Sequence, residues 1–319
     1  MDVTIIIATY DRSRALVYAL DSVKRAAEFA RPLMTELIVV ANASPNDTPD
    51  VARAWAETAG FPVRVLEEPR QGACRARNLG ITEARGRIMA ITDDDCRLAE
   101  DYIVRLVAAH DSDLVPTLRG GRLELGDASD LPMTVKTELH LAHFEPPVFP
   151  GGFLHGCNFT FTRPVVERVG FLDTRFGPGT AVGAAEDTDY LFRAWKLGVP
   201  VVYDPSIVIY HHHGRNQADD VARLFRTYNR ADGAFYAKHA LAAPSILKNF
   251  YWDIRNAVME PFGGKLFNTA LGFRHGPRVC HTILGALAFA TSKTHDESPA
   301  PGTPQGPPPE TYQAPLSRT

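Results

Sequence analysis

Apolar and polar positions change period in a regular way along the first hundred residues. Val3–Thr9 is a β-branched run of strand length, and Ser13–Phe29 then spaces Leu16, Leu20 and Val23 at helical intervals. The buried-strand signature returns at Glu36–Val40, Val63–Leu66 and Arg87–Thr92. Helices are expected between them, over Thr48–Ala59 and over Gly72–Ala84, the second ended by Gly86. Strand and helix in strict alternation predict an α/β chain built on a doubly wound, mostly parallel, Rossmann-like sheet. Such a sheet binds ligands beyond the carboxyl ends of its strands. The polar clusters at Asp11, Asn42–Asp47 and Asp93–Asp95 all follow predicted strands.

The pattern loosens afterwards. A helix is expected over Asp101–Ala109, a strand over Thr117–Leu125 and a Pro-rich loop around Glu145–Gly152. Next come a strand at Asn158–Thr162, a helix near Pro164–Val169, a Gly-rich stretch at Phe176–Gly183 and a helix over Glu186–Leu197. Two late strands, Val201–Tyr203 and Ile207–Tyr210, close this part. Beyond Gly214 the spacing is helical to about Ser292. The last 27 residues hold seven of the 24 prolines, so residues 293–319 are expected to form a disordered or polyproline tail.

Composition adds boundaries to this picture. With 319 residues, 45% hydrophobic and 22% charged, the chain has ordinary globular composition and length enough to bury a large core. The 34 Lys and Arg against 37 Asp and Glu give a net charge of −3, which argues against a nucleic-acid partner. That average is uneven: residues 216–292 carry +4 and residues 1–215 carry −6. Cys74, Cys96, Cys157 and Cys280 form no CxxC pair and read as reduced thiols in the core or near a site. The N-terminal run lacks a basic n-region, and no stretch reaches the roughly 18 apolar residues of a spanning helix. Cytoplasmic placement is therefore expected.

Four segments are candidates for chemistry. Asp93, Asp94 and Asp95 directly follow a strand, and adjacent carboxylates are best tolerated where a cation such as Mg²⁺ or Mn²⁺ neutralises them. A solvated loop or helix cap is the plainer alternative. Glu186, Asp187 and Asp189 open a helix, where the helix dipole alone accounts for acidic residues, but the glycines before them leave room for substrate and a general base. His211, His212 and His213 end a strand and cannot all point inward, so one is free to bind metal or phosphate. Arg75 or Arg77, near the start of a helix opened by Gly72, are candidates to hold a diphosphate; an ordinary basic helix face is the alternative.

In this order, the segments VTIIIATYDR, ELIVVANASPNDT, RQGACRARNLGITEARGRIMAITDDDC and GCNFTFTRPVVERVGFLDTRFGPGTAVGAAEDTDYLFRAWKLGVPVVYDP resemble the family 2 glycosyltransferases over roughly residues 2–215. The resemblance implies the GT-A fold, with residues 1–98 as the nucleotide-sugar half and residues 99–215 as the acceptor half. It implies an inverting transfer from a nucleoside diphosphate sugar to a glycan or lipid-linked acceptor, as in polysaccharide and cell-envelope synthesis. Carried over by residue, Thr9 and Tyr10 line the nucleotide pocket. Asp93 meets ribose or helps the metal, Asp94 lies between these roles, and Asp95 is the principal ligand of a divalent cation, Mn²⁺ or Mg²⁺. His211 is the late metal-binding histidine, with His212 and His213 as substitutes if the strand slips. Asp187 is the general base, and Glu186 orients it or meets the acceptor. Ala41 departs from the pattern, since the family commonly has Asp there, and Asn42 beside it is the candidate to meet the base. A UDP or dTDP sugar is the first expectation, with a guanosine donor as the alternative.

The alternative classes are a nucleotidyltransferase, which would carry a Gly-rich loop where this chain has ATYDRSRAL, and an inactive sugar-nucleotide-binding relative. The segment 216–292 mixes Phe250, Tyr251, Trp252, Phe262, Phe267, Leu271 and Phe273 with Lys248, Arg255, Lys265, Arg274 and Arg278. It is expected either to cap the acceptor half or to contact an anionic membrane surface through residues 245–292.

Overall fold

A computed structural model of the protein describes residues 1–269 and 272–292. Four strands, β1 (Val3–Thr9), β2 (Thr35–Asn42), β3 (Val63–Glu68) and β4 (Ile88–Asp93), alternate with helices α1 (Ser13–Phe29), α2 (Thr48–Ala56) and α3 (Ala73–Glu83). All pairings within this group are parallel, in the order β3-β2-β1-β4. β1 shows why the run of β-branched residues forms a central strand. Ile5 and Ile7 pack with α1 and with α4 (Tyr102–Asp111) on one face, while Ile6 packs with α3 on the other, all fully buried.

The sheet continues as β8 (Phe159–Thr162), β6 (Leu118–Leu125), β9 (Val201–His211) and β5 (Cys96–Leu98), with the short β7 (Ala142–His143) also on β9. Pairing here is mixed: β8 is antiparallel to β4 and β6, β6 and β9 are parallel, and β5 is antiparallel to β9. The architecture is α/β with a mostly parallel central sheet, as expected. Two details differ from the sequence pattern. The two late strands are one, Val201–His211, whose register against β6 shifts between Gly121 and Arg122. Pro205, which has no N–H to donate, sits in that irregular stretch. The second detail is β5, whose three residues are too few to show a period.

α5 (Arg163–Val169) and α6 (Glu186–Lys196) lie on the α3 face, and α7 (Ala218–His239), α8 (Leu247–Met259) and α9 (His275–Thr291) follow. Among the described residues, the helical segment expected beyond Gly214 is therefore three α-helices with two short 3₁₀ turns between them. α7 is pinned to α6 through Asp189, which is fully buried and takes Arg193 at 2.9 Å, Lys238 at 2.6 Å and His239 at 2.8 Å. α9 lies against the loop before α6, with the Phe289 and Phe176 rings 5.1 Å apart. Leu271 and the Pro-rich stretch 293–319 lie outside the described residues. Among the described residues, no helix is long and apolar enough to cross a membrane. Cys74, Cys96 and Cys157 are buried free thiols, whereas Cys280 is exposed.

α7 and α9 approach through glycine. A Cβ on Gly285 would stand 1.8 Å from the Arg230 carbonyl oxygen, and one on Gly233 would stand 1.8 Å from that of Thr282. Inside an exposed helix Gly→Ala stabilises by about 1 kcal/mol. Here the sign reverses: Gly285→Ala should lower unfolding stability by about 1–3 kcal/mol in urea titration. A more stable Gly285→Ala protein would mean that the helices do not meet there.

Candidate active site

A cleft of about 970 Å³ opens at the carboxyl ends of β1 and β4, between the start of α6 and α7. Its lining brings together nearly every residue singled out in the sequence: Thr9, Tyr10 and Asn42, the three aspartates, and Arg77, Glu186, Asp187 and His211. Among the described residues, the four non-glycine residues with positive φ are Asp11, Ala43, Thr134 and Ala185. Asp11 and Ala43 lie just beyond the ends of β1 and β2, Thr134 touches His211, and Ala185 precedes Glu186. Such conformations cost energy and are held only where the surrounding structure demands them.

The three aspartates have separate partners. Asp93 accepts from Arg77 Nη2 at 2.7 Å. Asp94 is buried, accepts from Thr9 Oγ1 at 2.7 Å and meets Arg12 Nη1 at 3.2 Å. Burial pushes its pKa up to about 6, against the opposing charge of Arg12. Asp95 takes the same Arg12 nitrogen at 2.8 Å and lies 3.5 Å from His211 Nε2. Burial by itself would raise Asp95, but its contacts with His211 and Arg12 hold it below the ordinary carboxylate range. Conversely, burial would lower His211, and its hydrogen bond with Asp95 pushes it up to about 9 instead.

This meeting follows from the pairing of β5 with β9, which sets Cys96 opposite His211. His211 Nδ1 lies 3.2 Å from both the carbonyl oxygen and Oγ1 of Thr134, which orients the ring with Nε2 towards Asp95. His212 lies instead beside Gly126 and the shallow pocket around Arg97. His213 is buried next to Asp130.

α6 begins with Glu186 and Asp187, which also line the cleft. Asp187 Oδ2 accepts from the Gly156 amide at 3.1 Å, and Oδ1 accepts from the Thr188 amide at 2.6 Å. Burial nevertheless raises its pKa, outweighing these hydrogen bonds. Glu186 is likewise raised by burial and accepts from Arg77 Nη1 at 2.7 Å.

Some expectations change in the folded protein. Asn42 does not offer its amide to a ligand: its nitrogen donates to the carbonyls of Glu68 (3.1 Å) and Arg70 (2.7 Å), and its oxygen accepts from the Gly72 amide (2.8 Å). It ties the loop before α3 to β2. Arg77, a candidate for diphosphate, directs two nitrogens to Asp93 and Glu186. Asp93 accordingly stands with Arg77, apart from the Asp95 and His211 pair. Arg12, Thr134, Gly156 and Arg215 were not singled out. Arg12 was legible as the cation following the polar turn after β1, whereas Thr134 carries no local signal. Arg215 lines the cleft, and its Nη1 is buried without a hydrogen-bond partner among the described residues.

Residues 4–146 match the family described as Glycosyl transferase family 2. The chain is 28% identical over 252 residues to the succinoglycan biosynthesis protein ExoO of Rhizobium meliloti (strain 1021), which covers 75% of this chain and 69% of that one. It is 29% identical over 106 residues to the glycosyltransferase AglE of Haloferax volcanii, spanning 33% of this chain and about a third (34%) of that relative. Among solved structures it is similar to the mannosyltransferase PcManGT from Pyrobaculum calidifontis in complex with GDP-Man and Mn²⁺. The TM-score is 0.56 at 19% identity, over 90% of this chain and 85% of the other. Residues 4–146 thus match a family 2 glycosyltransferase domain, and the chain has the GT-A fold.

Arg77 is 4% exposed at its side chain and neutralises two carboxylates of different segments. Arg77→Ala should cost about 3–5 kcal/mol, because it leaves both without their partner. Denaturant unfolding measures this, and a loss under about 1 kcal/mol would show that water replaces the guanidinium freely.

Proposed function

We propose that this glycosyltransferase moves a sugar from a nucleoside diphosphate donor to an acceptor hydroxyl in a single inverting displacement, with Asp187 as the general base. The observation that carries this reading is the cleft itself, which Asp187 lines together with Asp95 and His211. A single displacement needs a base on the acceptor side and an electrophile on the departing diphosphate. Asp187 suits the first role. Two backbone amides fix its oxygens, and burial makes it more basic than a surface aspartate. Glu186, neutralised by Arg77, positions the start of α6 and borders the acceptor.

The residues opposite fit a divalent cation. A carboxylate oxygen of Asp95 and an imidazole nitrogen of His211 converge at 3.5 Å, with Asp94 alongside. Cys96 lies within the same cluster, but burial holds its thiol protonated, so oxygen and imidazole donors remain, as suits Mn²⁺ or Mg²⁺. When bound, such an ion supplies positive charge to the leaving diphosphate. Arg12, in contact with Asp95, adds charge of its own there, and Arg215 adds charge to the lining of the cleft. Thr9 and Tyr10 border the nucleotide. Ala41 offers the base no hydrogen-bonding group and so does not select one; UDP and dTDP sugars are the first donors to test and GDP sugars the second. The relationship to a succinoglycan biosynthesis protein supports a saccharide acceptor, free or lipid-linked. In this reading residues 1–98 hold the donor, residues 99–215 the acceptor, and residues 216–292 brace the cleft.

With Mn²⁺ and the correct donor at a hundred times its dissociation constant, thermal unfolding should show about 2.7 kcal/mol of stabilisation. Asp187→Asn should keep that stabilisation while transfer falls by about 10²–10⁴-fold. His211→Ala or excess chelator should remove the metal-dependent part of the shift. Full turnover by Asp187→Asn would take away its role as base, and unchanged transfer in chelator would take away the metal.

A further inference from the structure

Helix α8 is packed with its polarity reversed. Its one buried residue is Asp253, whose carboxylate takes His275 Nδ1 at 2.9 Å and Arg278 Nε at 2.7 Å. Leu247, Tyr251, Ile254 and Val258 recur at i, i+4, i+7 and i+11, and all four are exposed. Phe262, just beyond the helix, is 80% exposed. α9 continues the theme. Thr282, Gly285 and Phe289 are buried, while Ile283, Leu284 and Leu287 are exposed. A water-facing helix normally shows the opposite arrangement, and clustered exposed apolar side chains mark a surface that meets something else.

Charge identifies what it meets. Among the described residues from 247 to 292, Lys248, Arg255, Lys265 and Arg274 are exposed. The two acidic residues of this stretch are both engaged, Asp253 as above and Glu260 by accepting from the His275 amide at 2.6 Å. No Asp, Glu, Lys or Arg lies between Val279 and Ser292. We propose that α8 and α9 form a surface that docks on an anionic lipid bilayer, with the apolar stripe in the interface and the four basic side chains on the headgroups. A second copy of the chain fits less well, because a two-fold interface would bring the same cations together without exposed acids to meet them.

The same residues tie this surface to the cleft. Arg278 also reaches Asp232 at 2.9 Å and Asn229 at 2.5 Å on α7, and all three line the cleft. Docking through α8 therefore holds the α7 wall of the cleft in a fixed relation to the bilayer. The inference does not rest on the assigned chemistry.

The full chain should co-sediment with vesicles of equal parts phosphatidylglycerol and phosphatidylcholine, and much less with phosphatidylcholine alone or in high salt. The combined variant Ile254→Ser, Val258→Ser and Phe262→Ser should reduce partitioning by about tenfold or more. So should Lys248→Gln, Arg255→Gln, Lys265→Gln and Arg274→Gln together, at about fivefold for each charge in contact. Both variants alter exposed positions and should keep the melting temperature and the donor-induced shift of the parent. Absence of co-sedimentation, equal partitioning of parent and variants, or equal binding to neutral vesicles would overturn the proposal. So would a dimer in light scattering that the serine variant dissolves, which would assign the face to self-association.

Discussion

One buried guanidinium links the two acidic segments of the cleft. Arg77 rises from α3 and reaches Asp93 at the end of β4 with one nitrogen and Glu186 at the start of α6 with another. Those carboxylates are 93 residues apart in sequence, from 186 against 93, and would repel each other if brought together alone. With Arg77 between them, the parallel half of the sheet and the α6 side share one electrostatic centre. The three aspartates at the end of β4 and just beyond it, and the two acids that open α6, can then line one cleft without unfolding it.

Around that centre the strand pairings decide direction. β5 is only three residues long, yet its antiparallel pairing with β9 is what sets the Asp95 carboxylate beside the His211 ring, while the His212 amide donates to the Asp95 carbonyl at 2.8 Å. Thr134, from a loop with no regular structure, then turns the imidazole. Arg12 supplies the cationic partner that Asp94 and Asp95 require. The site is thus built by short, irregular segments hung on a rigid parallel sheet, the usual division between scaffold and chemistry. Strained backbone at Asp11, Ala43, Thr134 and Ala185 accompanies this arrangement.

The C-terminal helices show the same economy of charge. Asp189 fastens α7 to α6, and Arg278 joins α7, α8 and α9 through Asp232, Asn229 and Asp253. Buried ion networks of this kind contribute little net stability compared with apolar packing, but they impose one arrangement of the helices. α8 can therefore turn Tyr251, Ile254 and Val258 outwards and remain in place, because Asp253 and the half-buried Phe250, whose ring lies 5.9 Å from that of Tyr236, hold it inward.

Much of the fold was legible in the chain because its signals are local. The β-branched runs of β1, β2 and β4, and the helical spacing in α1, depend on neighbours within a few residues. The acidic and histidine clusters were equally visible, as residue types that a folded chain seldom gathers without a partner. What the sequence could not display is which partner each one has. Asn42 has a side chain suited to a base, and only folding spends it on the Glu68 and Arg70 carbonyls. Arg77 has the charge to hold a diphosphate, and only folding commits it to two carboxylates. By itself, the sequence determined the alternating strands and helices of the first hundred residues, the resemblance to a family and the set of ionisable groups available. The tertiary structure alone decided that His211 meets Asp95, that Arg77 bridges the two acidic segments and that α8 faces outwards. Those contacts join residues tens to hundreds of positions apart, and such distances close only through strand register and helix packing.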